Sequence, residues 1–275
     1  MALLWYKGDV ETVIQSTPKV LLWDLEVAKM HVSRFVYDLK QYSSYIPHKA
    51  IQRDKWILCA AWKWIDEGYV ASTSVLNDPE RFKDNYADDY HVVKTMYDLI
   101  MQADALIAHN GDGFDWKIFT SRCIFHDLPP PKKPILIDTL KAARKEFKFS
   151  SNALGYLARF LNVEDKGQAP DWDAIAFGDA EAIKYAERYC RQDIKTLEGI
   201  YKKLRPYMTG HANLNAVLEG VHHHTCPKCG HWDQVKRGFK YTMAGKYQAY
   251  ACSPATGGCG GWSKHKKNLK TVDIR

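Results

Sequence analysis

The stretch Lys19-Val20-Leu21-Leu22-Trp23-Asp24-Leu25-Glu26-Val27 decides the fold. It is an apolar run of strand length, interrupted by acids only at alternate positions, and it reads as a buried β-strand. Side chains of a strand alternate between faces, so Asp24 and Glu26 share one. Two carboxylates on one face of an apolar strand repel each other and are costly to desolvate. A divalent cation removes that cost, and hard cations prefer oxygen ligands. Taken alone, the pair is also what a solvated strand face presents.

The elements around this strand follow from the same patterning. Residues 56–66 and 69–75 are rich in Trp, Ile, Val and Thr, with Asp66-Glu67-Gly68 between them as a hairpin turn. Asp88 or Asp89 is placed to cap a helix running to about Ala103, with Val92, Val93, Met96, Leu99 and Ile100 at helical spacing. Ala105-Leu106-Ile107-Ala108 reads as a short buried strand that ends in the loop signal Asn110-Gly111-Asp112-Gly113, with a second helix from about Phe114. Ile135-Leu136-Ile137 is another short strand, followed by helical stretches near 138–147 and 151–161 and a loop over 162–178. Asp179 is placed to cap a long amphipathic helix to about Leu204, ended by Pro206. Strands first, then strands alternating with helices, predict a mixed α/β sheet covered by helices.

Composition limits the alternatives. The chain has 275 residues, 46% apolar and 26% charged, which are ordinary globular values. Its net charge of +7 is unevenly placed. Residues 212–275 hold 10 Lys+Arg against 3 Asp+Glu, and the rest of the chain holds equal numbers of each sign. That asymmetry, with Gly210, Gly220 and three histidines interrupting the pattern, puts a boundary between 207 and 222 and predicts domains at 1–210 and 211–275. Seven cysteines, three of them scattered (Cys59, Cys123, Cys190), do not make a secreted disulfide framework. No leader pattern opens the sequence and no apolar run reaches membrane-spanning length, so a cytoplasmic chain without a membrane partner is expected.

Two further segments carry acids in informative places. Asn110-Gly111-Asp112-Gly113-Phe114-Asp115-Trp116 lies where a strand end meets a helix start, and a helix N-terminus favours acids. Asp112 fits a simple Asx turn, and Asp115, within the first helical turn, is the better inward carboxylate. In the long helix, Tyr189-Cys190-Arg191-Gln192-Asp193 sets Tyr189 and Asp193 four apart and so on one face. Asp193 falls near the stripe of Ile183, Ala186, Cys190, Ile194 and Leu197, a costly place for an unpaired charge.

Asp24-x-Glu26 on a strand, Asp115 after a loop, then Tyr189 and Asp193 late in a helix form an ordered set. The set resembles the DEDD superfamily of 3′-5′ exonucleases in its tyrosine branch, and residues 110–116 resemble the second motif of the exonuclease domains of family B DNA polymerases and their stand-alone relatives. Ile137-Asp138-Thr139-Leu140 resembles a segment that commonly follows it. The resemblance covers roughly residues 18–205. It implies a ribonuclease H-like mixed sheet and hydrolysis of phosphodiester bonds from 3′ ends, with single-stranded DNA as first substrate. An exoribonuclease, a structure-specific endonuclease on the same fold and a non-catalytic nucleic-acid binder remain open at this point. One departure is Val27, where these enzymes often carry Thr, so the side chain there offers no hydroxyl for the contact to the terminal nucleotide that the resemblance would imply.

The resemblance also implies roles. Two Mg²⁺ or Mn²⁺ ions about 3.5–4 Å apart would activate water and stabilise the leaving oxygen. Asp24, Glu26 and Asp193 would hold the first, Asp24 bridging to the second, with Asp115 on the second. Tyr189 would orient the attacking water, since a free phenol has a pKa of about 10 and is a poor base at neutral pH.

In the tail, Cys226-Pro-Lys-Cys229 is a Cys-x2-Cys knuckle, and Cys252 and Cys259 follow with six residues between them. Two cysteine pairs separated by hairpin length, about 240–251, predict one structural Zn²⁺ in a small zinc-ribbon module. The second pair is wide; Gly257, Gly258, Gly260 and Gly261 would permit that loop, and His231 or one of His222, His223 and His224 is an alternative ligand. Lys236, Arg237, Lys240, Lys246 and Lys264 interleave with Tyr241 and Trp262. Cations for phosphates and aromatics for bases are what a single-strand binder uses.

Overall fold

Strand β1, Val20–Val27, forms where the apolar run predicts it. Its first four residues are buried, which sets it in the middle of a sheet. The computed structural model describes residues 18–33, 46–65, 67–164, 167–217, 225–243 and 245–271. Among the described residues β2 (His31–Val32) and β3 (Ile51–Arg53) pair only with each other. β4 (Ile57–Trp64) and β5 (Ala71–Ser74) form the expected antiparallel hairpin, with Trp62 opposite Ala71. Asp66 of its turn lies outside the described residues. After α1 (Pro79–Asp84) and α2 (Tyr90–Gln102) come β6 (Ala105–Ala108), α3 (Asp115–Phe125), β7 (Ile135–Asp138) and α4 (Thr139–Glu146). α5 (Leu154–Phe160), α6 (Trp172–Ala176) and α7 (Ala180–Leu204) complete this part.

The five-stranded sheet has the order β5-β4-β1-β6-β7. β1 pairs antiparallel with β4 and parallel with β6, and β6 runs parallel with β7. Helices cover both faces, as the mixed pattern predicts. On one face Trp23 meets Phe119 of α3 edge-on, with ring centroids 6.1 Å apart. On the other, Asp24 meets Cys190 of α7. The alternation of β1 therefore decides which side carries chemistry: Trp23 and Leu25 pack, and Asp24 and Glu26 turn toward α7.

Two local readings need correction. The loop expected over 162–178 contains α6. Asp171 accepts from the backbone N–H groups of Asp173 and Ala174, and Ile175 is fully buried. A five-residue helix is too short to show a periodic pattern, so its burial comes from packing against α7. Asp89 stands at the N-cap position of α2 but caps nothing. Asp88 accepts from Tyr90 N–H at 3.0 Å, while the Asp89 carboxylate is fully buried among Ile57 N–H (2.8 Å), Arg122 (2.7 Å) and His126 (2.5 Å). Burial pushes its pKa up, but His126, Arg122 and the Ile57 N–H outweigh that and hold it below the usual value. The charge thus ties α2, α3 and β4 together. Asp179 does cap α7, accepting from Ala182 N–H at 2.7 Å.

The C-terminal segment forms its own antiparallel sheet in the order β10-β9-β8, from β8 (Gln234–Thr242), β9 (Gly245–Cys252) and β10 (Trp262–Thr271). It is moored to the end of α7. Leu214 N–H donates to Pro227 C=O at 3.0 Å, and the buried Lys228 ammonium donates to Pro206 C=O at 2.8 Å. Among the described residues no helix is long and apolar enough to cross a membrane.

Candidate active site

The five residues of the ordered acidic set come from three elements far apart in sequence and line one cleft of about 630 Å³. Asp24 and Glu26 lie on β1, Asp115 opens α3, and Tyr189 and Asp193 stand one turn apart on α7. Asp115 and Asp193 are 4% and 5% exposed, so they are core carboxylates rather than rim ones. Asp115 is aimed by backbone geometry: the Leu25 N–H, between the two β1 acids, donates to its Oδ1 at 3.3 Å.

The electrostatics follow from crowding. The Asp24 pKa is raised well above its ordinary value, first by burial and then by the charges of Glu26, Asp115 and Asp193. The Asp115 pKa is pushed up to about 7, chiefly by burial, and the N–H from Leu25 only partly offsets this. Carboxylates held this close without a cation favour the protonated form. A hard cation would restore the charged state by supplying the missing positive charge, so the donor set fits divalent metal.

Cys190 is a participant that the residue pattern assigned only to the apolar stripe. Its thiol is fully buried and donates weakly to Asp24 Oδ2 at 3.5 Å and to Asp24 C=O at 3.6 Å. Its pKa is raised well above the usual value, first by burial, then by Cys59 and by the Asp24 and Glu26 charges, which keeps the proton on sulfur. Sulfur and carboxylate atoms of Asp24, Glu26 and Cys190 all lie within 4.8 Å of one another. The position beside Tyr189 and three before Asp193 was the available signal. His109, Asn152 and Arg144 also line the cleft, and no local spacing pointed to them. His109 bridges Thr139 Oγ1 and Asn152 C=O, both at 2.9 Å, and so links β6, α4 and the loop before α5.

Asp112 takes no part in this cleft and is no cap either. It forms ion pairs with Lys141 and, at 3.6 Å, with Lys133. Asp138 caps α4, accepting from Leu140 N–H at 2.9 Å, and also receives Asn110 N–H at 3.0 Å, which ties the loop to β7.

The second cluster is the thiol set. Cys226 and Cys229 precede β8, Cys252 ends β9, and Cys259 sits in the following loop. Their sulfurs lie within 4.8 Å of one another, with Cys226–Cys259 at 3.8 Å and Cys229–Cys252 at 3.7 Å. A tetrahedral ion with four sulfurs at about 2.3 Å sets them about 3.8 Å apart, so the spacing fits Zn²⁺. The wide loop closes because Gly257 and Gly260 adopt positive φ (94° and 75°), and because a Cβ on Gly258 would come 2.5 Å from Cys252 Sγ. His231 is hydrogen-bonded to Thr256 at 2.9 Å, and the four sulfurs form the cluster without it. His222, His223 and His224 lie outside the described residues.

The expected strand-binding residues are exposed, apart from the half-buried Lys246, but they divide between the faces of the small sheet. Register places Tyr241 opposite Lys246 on one face, and Lys240 opposite Tyr247 on the other. Lys246 lies over the Phe239 ring at 3.8 Å, and Lys264 over Tyr247 at 3.9 Å. Lys264 and Trp262 share the second face, and Lys236, opposite Tyr250, shares the first. Arg237 stands at the bulge between Lys236 and Phe239.

Comparison with known proteins agrees with the architecture. A family model described as RNase H superfamily matches residues 67–205, which include Asp115, Tyr189 and Asp193 and leave β1 outside. A "DNA polymerase III PolC-type" of Ureaplasma parvum is 27% identical over 139 residues, half of this chain and 10% of that protein. The family B DNA polymerase of the archaeon Pyrobaculum calidifontis superposes with a TM-score of 0.51 at 13% identity, over 86% of this chain and 34% of that one. The chain thus spans a tenth of the first relative's length and a third of the second's.

Proposed function

The chain belongs to the RNase H superfamily, and from that premise we propose that it is a metal-dependent 3′-5′ exonuclease acting on single-stranded DNA ends, with a zinc ribbon appended. The observation that carries this reading is the convergence of Asp24, Glu26, Asp115, Tyr189 and Asp193 on one cleft. The likeness to parts of two DNA polymerases supports DNA as the substrate. We divide the chain into a nuclease body, 1–210, and a ribbon module, 211–275.

Asp24, Glu26 and Asp193 would hold one Mg²⁺ or Mn²⁺, and Asp115 with Asp24 a second. When bound, these ions supply Lewis acidity toward the phosphate and toward water. The protein's own part is to fix the donors. Leu25 N–H holds Asp115, the Cys190 thiol holds one oxygen of Asp24, and α7 brings Asp193 and Tyr189 to the same wall. Tyr189 Oη would orient the attacking water by hydrogen bonding. Cys226, Cys229, Cys252 and Cys259 would hold Zn²⁺, which supplies folding energy to a sheet with few buried apolar residues of its own. Lys236, Arg237, Lys240, Tyr241, Lys246, Trp262 and Lys264 would grip the strand.

The test is hydrolysis of 5′-labelled and 3′-labelled single strands with Mg²⁺, Mn²⁺ or chelator. A ladder shortening from the 3′ end, lost with chelator and in Asp24→Ala, is expected. Internal cuts, or strand binding without cutting in any metal, would sink the assignment.

A further inference from the structure

A second groove, of about 430 Å³, lies beside the acidic cleft on the other flank of α4. Lys133, Lys141 and Lys145 line it, and its far wall is the chain segment around Met208–Ala212. Helix α4 divides the two spaces. Leu140 and Arg144 face the acidic cleft, while Lys141 and Lys145, one turn apart, face the groove. The 110–115 loop divides in the same way, with Asn110, Phe114 and Asp115 toward the cleft and Asp112 toward the groove.

Resting on the nuclease reading above, we propose that this groove is the track along which a single nucleic-acid strand leaves the acidic cleft, its phosphates lying on Lys141, Lys145 and Lys133 with Arg144 at the crossing. Three observations carry the assignment. First, four carboxylates crowd the cleft, so the strand needs protein cations as soon as it passes beyond the metals, and a row of lysines lies just across α4. Second, two of the groove's three acids are occupied. Asp138 caps α4, and Glu146 accepts from Thr209 N–H (3.0 Å) and Thr209 Oγ1 (2.6 Å), a latch that also holds the far wall. Asp112 competes for Lys141 and Lys133, and Glu146 Oε1 stands 3.8 Å from Lys145 Nζ; these pairs, made by exposed lysines, are ones a phosphate can replace at little cost. Third, the far wall continues into the cysteine module, which is moored at Pro206 by Lys228 and at Leu214 by Pro227. The groove therefore lies between α4, which it shares as a wall with the cleft, and the chain segment that leads into the basic tail.

The experiment measures binding of a single-stranded DNA 12-mer to the full chain in Ca²⁺ over a salt series, with melting temperatures alongside. For Lys141→Gln/Lys145→Gln, affinity is expected to fall about tenfold. The slope of log Kd against log salt is expected to flatten by about 1.4, from about 0.7 per lost phosphate contact on a single strand. Asp112→Asn frees Lys141 and Lys133 and should tighten binding. An unchanged slope in the lysine variant, or weaker binding in both variants with a lowered melting temperature, would overturn the track. Failure of the nuclease reading shows separately, as wild-type protein that binds the strand in Ca²⁺ but does not shorten it in Mg²⁺ or Mn²⁺.

Discussion

The acidic cleft and the thiol cluster are two metal-shaped arrangements built in opposite ways. The thiol set is local: four sulfurs within 34 residues of chain, brought together by a hairpin and a glycine loop. Little apolar surface is buried around it beyond Ala249 and the cysteines themselves. The acidic set is global. Its residues span 170 positions and are held by a sheet and α7 whose core is complete without them. A site whose surroundings already fold can hold its donors in a repulsive arrangement. A site that is most of its own module cannot.

The largest expected effect follows from that contrast. Cys226→Ser, or removal of zinc with a strong chelator, should release one Zn²⁺ and unfold the module while the five-stranded body stays folded. Limited proteolysis read by mass spectrometry would show cleavage confined to the region beyond residue 211. Uniform protection of both parts in the metal-free protein would remove the contrast. Next in size, Asp193→Asn should cost on the order of 10³ in nuclease rate. In chelator it should raise the melting temperature, by about 2–4 °C per kcal/mol of repulsion relieved, because Asp193 is among the charges that push Asp24 up. A fall in melting temperature would mean the cleft is not strained.

A third prediction sharpens the same point through pH. Asp115 is raised from 3.8 to about 7, and Asp24 is raised as well. Across that window the folded state binds more protons than the unfolded one, so metal-free stability should fall as pH rises from about 4 to about 7. Saturating Mg²⁺ should flatten the dependence. Denaturant titrations at several pH values check it, and a metal-free stability that climbs toward pH 7 would contradict the assignment. The smallest effect concerns Cys190. Cys190→Ala should raise the Mg²⁺ concentration needed for half-maximal rate by about tenfold, within the range of lost outer hydrogen bonds to metal ligands. Cys190→Ser, which keeps a donor, should restore it. Equal loss in both variants would make the residue a packing element only.

Much of the fold was legible because it is written in short-range patterns. β1, β6, β7 and α7 fall where apolar runs, alternation and an aspartate cap put them. α6 was not legible, since its five residues are stabilised by Asp171 and by packing of Ile175 rather than by periodicity. Asp89 was legible as a helix boundary but not as a buried anion, because Arg122 and His126 reach it from 33 and 37 residues away. Cys190 looked like one more apolar residue, because its neighbour Asp24 is 166 positions distant.

By itself the sequence determined which donors exist and which faces they share. Asp-x-Glu on a strand and Tyr-x3-Asp on a helix follow from backbone repeats of two and 3.6 residues, and Cys-x2-Cys from the reach of a tight turn, all of which act over a few positions. Only the tertiary structure decided that β1, α3 and α7 meet at one cleft, that Asp112 turns away to the lysines, and that α4 parts a basic groove from an acidic one. Those outcomes depend on strand order and helix packing across the whole sheet, and burying a shared core is what fixes them.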